Sequence, residues 1–556
     1  MNRPRRIAFP TFVFLNLLAA AAAAAESRNT ADRPAVGTAG MISTAHPLAT
    51  QAGWEILRAG GNAFDATVAV AAVLGVVEPM MSGIGGYGAF LVHDARTRET
   101  KFLDCSGRIP AAVDADVFRP PTPGHLENRR GAKSVSTPGN INGWTAMLQR
   151  HGTLEWPRLL EAAIRLAEEG FVIGEVSAGH IAKEFEKFPP HARAFYGVGG
   201  RPLRAGERLV QTDLGRSLRA VAKDGARALH GGELGEAVVR TMRQTGGFVS
   251  LEDLRTNRAE WWDPVRIDYR GCQVLAAGSP TNGWNALLRI GIMTRWDLPA
   301  LGHNSVDYVH RFAEVTKRAY ATRLVHAGDP DVSPPPLGRL LSAEFWAAEA
   351  AAVDLQRAVP FVPPGPSAAT GTHTTHFVVA DAAGNVVSAT QTLGDLFGSK
   401  VMVEGTGVWL NNSLSYSTFE PKGNPMDVFP GRRKLAGYCP VMIFRDGRPW
   451  VALGTPGGHT IVQTTPQIVM NLIDFGFDMQ RAVAAPRLSF IEPALLVVDE
   501  AMPAAVRAGL TQRGHTVEVR KVGNAHGLTI EYDAAGRPVR FTGGADPRGE
   551  GVALGY

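Results

Sequence analysis

Hydroxyls and imidazoles crowd one short stretch, THTTHFVVADAAGNVVSATQT at 372–392, where a Pro-rich run gives way to a strand pattern. The run before it, Ala358 to Gly371, has neither helical nor strand period and reads as an exposed, cuttable loop. After it, Phe377, Val378 and Val379 favour a strand, Ala382-Ala383-Gly384 make a three-residue turn, and Val386-Val387 lead back. That hairpin register sets Asp381 against Asn385 and Thr374 against Thr392. Taken alone, the stretch reads first as a Thr-rich strand edge, since threonine suits strands. His373 and His376 stand at i, i+3, but no acidic or cysteine partner is near in sequence to complete a zinc set, and a structural role is expected for both. A second cluster, Gly454-Thr455-Pro456-Gly457-Gly458, follows the strand pattern Trp450 to Leu453 and leaves backbone N–H groups bare enough to meet an oxyanion.

Other chemistries are poorly served. Gly-x-Ser-x-Gly is absent, which removes the nucleophile elbow of an α/β-hydrolase. Gly83-Ile84-Gly85-Gly86-Tyr87-Gly88 spells a dinucleotide-binding turn but follows Glu78-Pro79 and runs into the strand-like Ala89 to Val92, so a close backbone approach in a tight core is the better reading. Basic residues are scattered, without the stripe a nucleic-acid binder needs. Cys105, Cys272 and Cys439 are single and far apart, which excludes a CxxC site; one disulfide is open to them in an oxidising compartment, but a small buried apolar role is expected for each.

The elements that must position these groups belong to a chain of 556 residues, 45% apolar, ample for one large domain or two ordinary ones. Residues 1–25 carry a basic head (Arg3, Arg5, Arg6), an apolar middle and an Ala-rich exit, an export signal cut after Ala25 rather than a membrane anchor. Its removal lowers the formal charge from +5 to +2, and no later segment is long and apolar enough to span a membrane. Helix patterns occupy Ala49 to Gly60, a run from Asp65 to Leu74 that is apolar nearly all round, Trp156 to Gly170, Glu233 to Thr245 and Val306 to Leu324. Strands are expected at Phe90 to His93, Val274 to Ala277, Phe377 to Ala380, Val441 to Phe444 and Val451 to Leu453, giving sheets covered by helices.

Together GGNAFDATVAVAAVLGVVEPMMSGIGGYGAF (60–90), STPGNINGW (136–144), GTLEWPRLLEAAIRLAEEGF (152–171), GGFVSLEDL (246–254), KRAYATR (317–323), TTHFVVADAAGNVVSATQTL (374–393), GTPGG (454–458) and ADPRGEG (545–551) resemble, in order, the γ-glutamyltransferase family of N-terminal nucleophile hydrolases. The resemblance implies an α+β fold, the four-layer αββα sandwich, built jointly by a large chain (26–373) and a small chain (374–556) that stay associated after one precursor cuts itself between His373 and Thr374. It implies Thr374 as nucleophile, its freed α-amine as base, Thr392 as the hydroxyl that orients it, and Gly457 and Gly458 as oxyanion-hole amides. No metal or organic cofactor is needed; the partners are a small amide and a water or amine acceptor.

The sequence departs from the family where a γ-glutamyl head is held. The expected arginine two residues after Asp104 is Ser106, with Arg108 two places late as a candidate carboxylate partner; the serine pair is Ala436-Gly437. On the amine side the asparagine is Gly394, and the glutamine and aspartate are Ser413 and Tyr416. The expectation is therefore a periplasmic or secreted amidase or acylase acting on an acyl group without the α-amino acid head, with a dicarboxylic monoamide as a candidate donor. The alternatives are an ordinary γ-glutamyltransferase or glutathione hydrolase and, from another class, a catalytically dead binding protein.

Overall fold

The computed structural model describes residues 28–364 and 373–556. The export-signal expectation, and the part of the Pro-rich loop from 365 to 372, lie outside the described residues. Two seven-stranded antiparallel sheets stack face to face. The strands are β1 (Ala35–Gly37), β2 (Gly40–Thr44), β3 (Tyr87–Asp94), β4 (Glu99–Cys105), β5 (Glu260–Trp262), β6 (Val265–Tyr269), β7 (Cys272–Ala276), β8 (His373–Asp381), β9 (Val386–Gly394), β10 (Val441–Arg445), β11 (Arg448–Gly454), β12 (His526–Tyr532), β13 (Pro538–Ala545) and β14 (Val552–Gly555). The first sheet runs β14-β2-β8-β9-β3-β4-β5 and the second β1-β13-β12-β11-β10-β7-β6.

Strand alternation explains the layering. Along β8 and β3, Phe377, Val379, Phe90 and Val92 face one core, while Val378, Ala380, Ala89 and Leu91 face another. The first core is closed by α1 (Pro47–Arg58), α2 (Ala63–Val77), α3 (Trp156–Glu169), α4 (Thr212–Asp224) and α5 (Glu233–Thr245). The second lies between the sheets, with Met442, Ala452 and Leu528 contributed by the opposite one. A third core joins the far face of the second sheet to α6 (Gly283–Met293), α7 (Val306–His326) and α8 (Ile461–Ile473). Three cores between four layers are the expected αββα sandwich.

Helix α2 shows the local logic. Asn62 accepts from Phe64 N and Asp65 N while Asp65 accepts from Asn62 N, a reciprocal cap that sets the helix start. Its apolar side chains on all sides suit a helix packed against α1, α3 and strands β8 and β9. The glycine run 83–88 is the tight crossing expected of it: a Cβ at Gly86 would stand 2.4 Å from Thr392 O, and one at Gly85 2.2 Å from Trp409 O. The three cysteines are buried free thiols. Among the described residues no helix is long and apolar enough to cross a membrane.

Candidate active site

Strands β8 and β9 pair from Ala380 opposite Val386 to Thr375 opposite Gln391, and Asp381 N donates to Asn385 O at 3.1 Å, with Gly384 at φ 90° in the turn. The ladder then slips, so that His373 faces Gly394 and two residues of β9, Thr392 and Leu393, oppose Thr374. At this bulge the Thr374 hydroxyl donates to Thr392 Oγ1 at 3.2 Å. Thr392 in turn donates to the carbonyl oxygen of His373 at 2.6 Å and accepts from Gly394 N at 2.8 Å. The hydroxyl of Thr374 and the carbonyl that precedes it are thus joined through one side chain. Both threonines are buried.

The row continues across the sheet. Thr392 is opposite Tyr87 on β3, and Gly88 opposite Cys105 on β4 sets Tyr87 beside Ser106 in the same register. Directly opposed residues share a face, and this one looks into the space between the sheets. Tyr438 OH reaches Ser106 Oγ at 3.4 Å, and the Tyr87 and Tyr438 ring centroids lie 5.7 Å apart.

The residues at the family's head-group positions make internal contacts or leave no room. Gly394 has φ 105°, and a Cβ there would stand 2.1 Å from Asn412 Oδ1. Ser413 is hydrogen-bonded to Ser136 and takes Asn411 Oδ1 through its N–H at 3.2 Å. Tyr416 is buried, its phenol held well above the ordinary range by burial and by Asp395, and its ring packs on Gly437, 3.1 Å from an ideal Cβ. Ala436 N donates to Pro280 O at 3.0 Å. Ser106 caps Asp104 through its N–H at 3.0 Å and its hydroxyl. Arg108, expected to meet a substrate carboxylate, is matched internally: it donates to Glu260 at 2.5 Å and to Gly431 O at 3.3 Å. Arg433 shares Glu260 at 2.6 Å and holds Asp331 at 2.5 Å and Asp329 at 3.2 Å. Glu260 lies far from both arginines in sequence, which is why spacing did not reveal this pairing.

Gly457 (φ 123°) and Gly458 (φ 61°) follow β11, and Thr460 ties the turn by donating to Gly457 O from its N–H at 3.1 Å and its hydroxyl at 2.9 Å. Gly458 O lies 3.3 Å from an ideal Cβ at Gly437, which brings this loop to the same end of the sandwich as Tyr416. His376 is buried against Thr390 Oγ1 at 2.8 Å, with Gly454 leaving space for its ring; burial and His526 hold it neutral. His373 is lowered to about 3 by burial, then by His180. Among the described residues, His310, Glu314 and His515 bring ligand atoms within 4.8 Å of one another. There His310 Nδ1 and His515 Nε2 share a hydrogen bond of 2.8 Å, Glu314 pairs with Lys317, and Lys317 donates to Val359 O. That arrangement is a polar knot fixing the start of the Pro-rich run.

Three features were not assigned from sequence. Glu78 accepts from Thr375 Oγ1 at 2.9 Å and is raised to about 7, chiefly by burial. Lys434 is buried with its ammonium 3.4 Å from the Tyr87 ring centroid. A cavity of about 290 Å³ reaches His373, with Arg129, Arg130, Lys183, Lys187 and Lys400 on its walls together with Glu184 and Asp395; Glu184 pairs with Lys187 and Lys400. The only sequence signals were a lone lysine leading into a buried strand pattern and a tyrosine inside a glycine run.

A threonine hydroxyl at a strand start between two stacked antiparallel sheets, each covered by helices, is the arrangement of the N-terminal nucleophile hydrolase fold. The gamma-glutamyltranspeptidase family profile matches residues 49–556. The chain is 37% identical over 541 residues to the acylase ACY 1 proenzyme of Pseudomonas sp. (strain SE83), covering 92% of this chain and 95% of that protein. It is 34% identical to a glutathione hydrolase proenzyme of Pseudomonas sp. (strain A14), covering 93% and 94%. The crystal structure of cephalosporin acylase from Bacillus halodurans superposes with a TM-score of 0.85 at 26% identity, covering 100% of this chain and 99% of that one. The chain belongs to the gamma-glutamyltranspeptidase family and is a hydrolase or acyltransferase of that family.

Proposed function

We propose that the chain is an exported proenzyme that cuts itself between His373 and Thr374 and then uses Thr374 as nucleophile on amides whose acyl group lacks an α-amino acid head. The observation that carries the reading is the Thr374–Thr392–His373 carbonyl relay. In it, Thr374 Oγ1 adds to the His373 carbonyl carbon. Its proton passes to Thr392 as the Thr392 proton moves to the carbonyl oxygen. The C–N bond breaks, the Thr374 nitrogen takes the proton, and the resulting ester is hydrolysed by water to a His373 carboxylate and a free Thr374 amine and hydroxyl. His373, held neutral, takes no part as an acid.

The mature enzyme repeats this acyl transfer on substrate. The freed α-amine, ordinarily near pKa 7.7–8.0, accepts the hydroxyl proton. Thr374 attacks the amide carbonyl, the Gly457 and Gly458 N–H groups meet the oxyanion, and the amine departs with the proton. Water or a second amine then takes the acyl group. On this reading residues 1–25 are the export signal, 26–373 the large chain and 374–556 the small chain.

Substrate preference follows from charge. Gly394 has no room for an amide side chain, and Ser413 is spent on Ser136, so nothing at those positions pairs with an α-ammonium. A buried unpaired charge costs several kcal/mol. The acylase relatives agree with this reading. The test is kcat/KM for a glutaryl anilide against its γ-glutamyl counterpart, which differ by the ammonium alone. The glutaryl donor is expected to lead by about tenfold or more, since one charge-assisted hydrogen bond is worth ~1.5–3 kcal/mol. A tenfold lead for the γ-glutamyl donor restores the glutathione hydrolase reading.

A further inference from the structure

Lys434 is 1% exposed and lies on the approach to β10, in the segment whose neighbours Arg433 and Ala436 are fully engaged. Its ammonium makes no hydrogen bond among the described residues and rests on the face of Tyr87, 3.4 Å from the ring centroid. The phenol oxygen of Tyr87, itself 0% exposed, also has no hydrogen-bond partner. A buried ammonium without a hydrogen-bonded acceptor is costly, and two such donors side by side ask for an acceptor from outside the chain. Asp104 lends its charge from nearby but does not supply that acceptor: no ion pair or hydrogen bond joins it to Lys434, and its Oδ1 is taken by the N–H and hydroxyl of Ser106. Burial lowers the lysine to about 7, with Asp104 and Cys105 acting the other way, so an anion binding beside it would restore its charge.

The position is informative. Tyr87 stands directly opposite Thr392, one strand spacing, ~4.8 Å, from the threonine pair, and beside Ser106, where the head-group arginine is missing. We propose that Lys434, with the Tyr87 hydroxyl, binds a carboxylate at the far end of the substrate's acyl group, so that the donor is the monoamide of a short dicarboxylic acid. The cation of the lost clamp is thereby supplied from the neighbouring loop, while Arg108 and Arg433 remain tied to Glu260.

This assignment rests on Thr374 being the nucleophile, but its test is separate from the preference over γ-glutamyl donors, because no α-amino group enters either arm. The ratio of kcat/KM for a glutaryl anilide to that for its neutral 4-carbamoylbutyryl isostere is measured on the processed wild type and on Lys434→Met. Wild type is expected to favour the glutaryl donor, and the substitution to lower the ratio about ten- to a hundredfold. A merely structural role for the lysine lowers both donors together and leaves the ratio in place. A ratio that falls less than tenfold overturns the assignment. So does a wild-type enzyme that turns over both donors equally, a result that needs no variant to fold.

Discussion

At the scale of single residues, the site depends on groups whose protonation is set by burial rather than by ordinary solution values. Glu78, hydrogen-bonded to Thr375 and so one residue from Thr374, is raised to about 7 from 4.5 by burial; the Thr375 hydroxyl pulls it down and Glu550 pushes it up. The folded protein therefore binds that proton more tightly than the unfolded chain. Stability present below pH 4.5 is lost as pH rises through about 7, by about 3 kcal/mol in all. Glu78→Gln keeps an acceptor for Thr375 and removes the titration. Its thermal midpoint is expected to match wild type near pH 4.5 and to exceed it at pH 8. An equal difference between the two proteins at both pH values contradicts this account of Glu78.

At the scale of elements, the sequence was informative where one periodicity ran unbroken. The helix Glu233–Thr245 was legible end to end, because Leu234, Val238 and Met242 mark one buried face and Gly246, at φ 76°, closes it. The hairpin turn and its register up to Thr375 opposite Gln391 were legible too, but the slip that sets both Thr392 and Leu393 against Thr374 was not. Strand β8 starts four residues before the expected Phe377, since His373 to His376 carry no apolar alternation and join the sheet through backbone pairing and the hydroxyl relay. Strand β4 and helix α4 were not read at all; ETKFLDC is half polar, and the charged face of Thr212–Asp224 dilutes its apolar one. The head-group departures were legible residue by residue, but the true state of Arg108 was not, because Glu260 lies 152 residues away. The glycine crossing carries its own prediction. Gly86→Ala places a Cβ 2.4 Å from Thr392 O and 2.9 Å from Asn140 Nδ2, so β3 and β9 must part at the threonine pair. Overpacking of this kind costs ~1–3 kcal/mol, and self-cleavage of the variant is expected to slow at least tenfold. Cleavage at the wild-type rate means the crossing does not position Thr392.

At the scale of the whole molecule, the proposed cut divides a sandwich that neither part can form alone. Strand β8 would open the small chain, yet it lies between β2 of the large chain and β9 of the small one, and β14 adds to the same sheet beyond β2. In the second sheet β1 pairs with β13, and β7 with β10. Two chains interleaved in this way through both sheets and all three cores are expected to stay together after the proposed cut without a covalent link. The central claim is that Thr374 cuts the chain before itself, and intact mass with N-terminal sequencing of the purified protein tests it most directly. Two fragments that co-elute on gel filtration are expected, the smaller beginning Thr374-Thr375-His376, with Thr374→Ala remaining one chain. A wild-type protein that stays single, or a Thr374→Ala variant still split at the same bond, contradicts it.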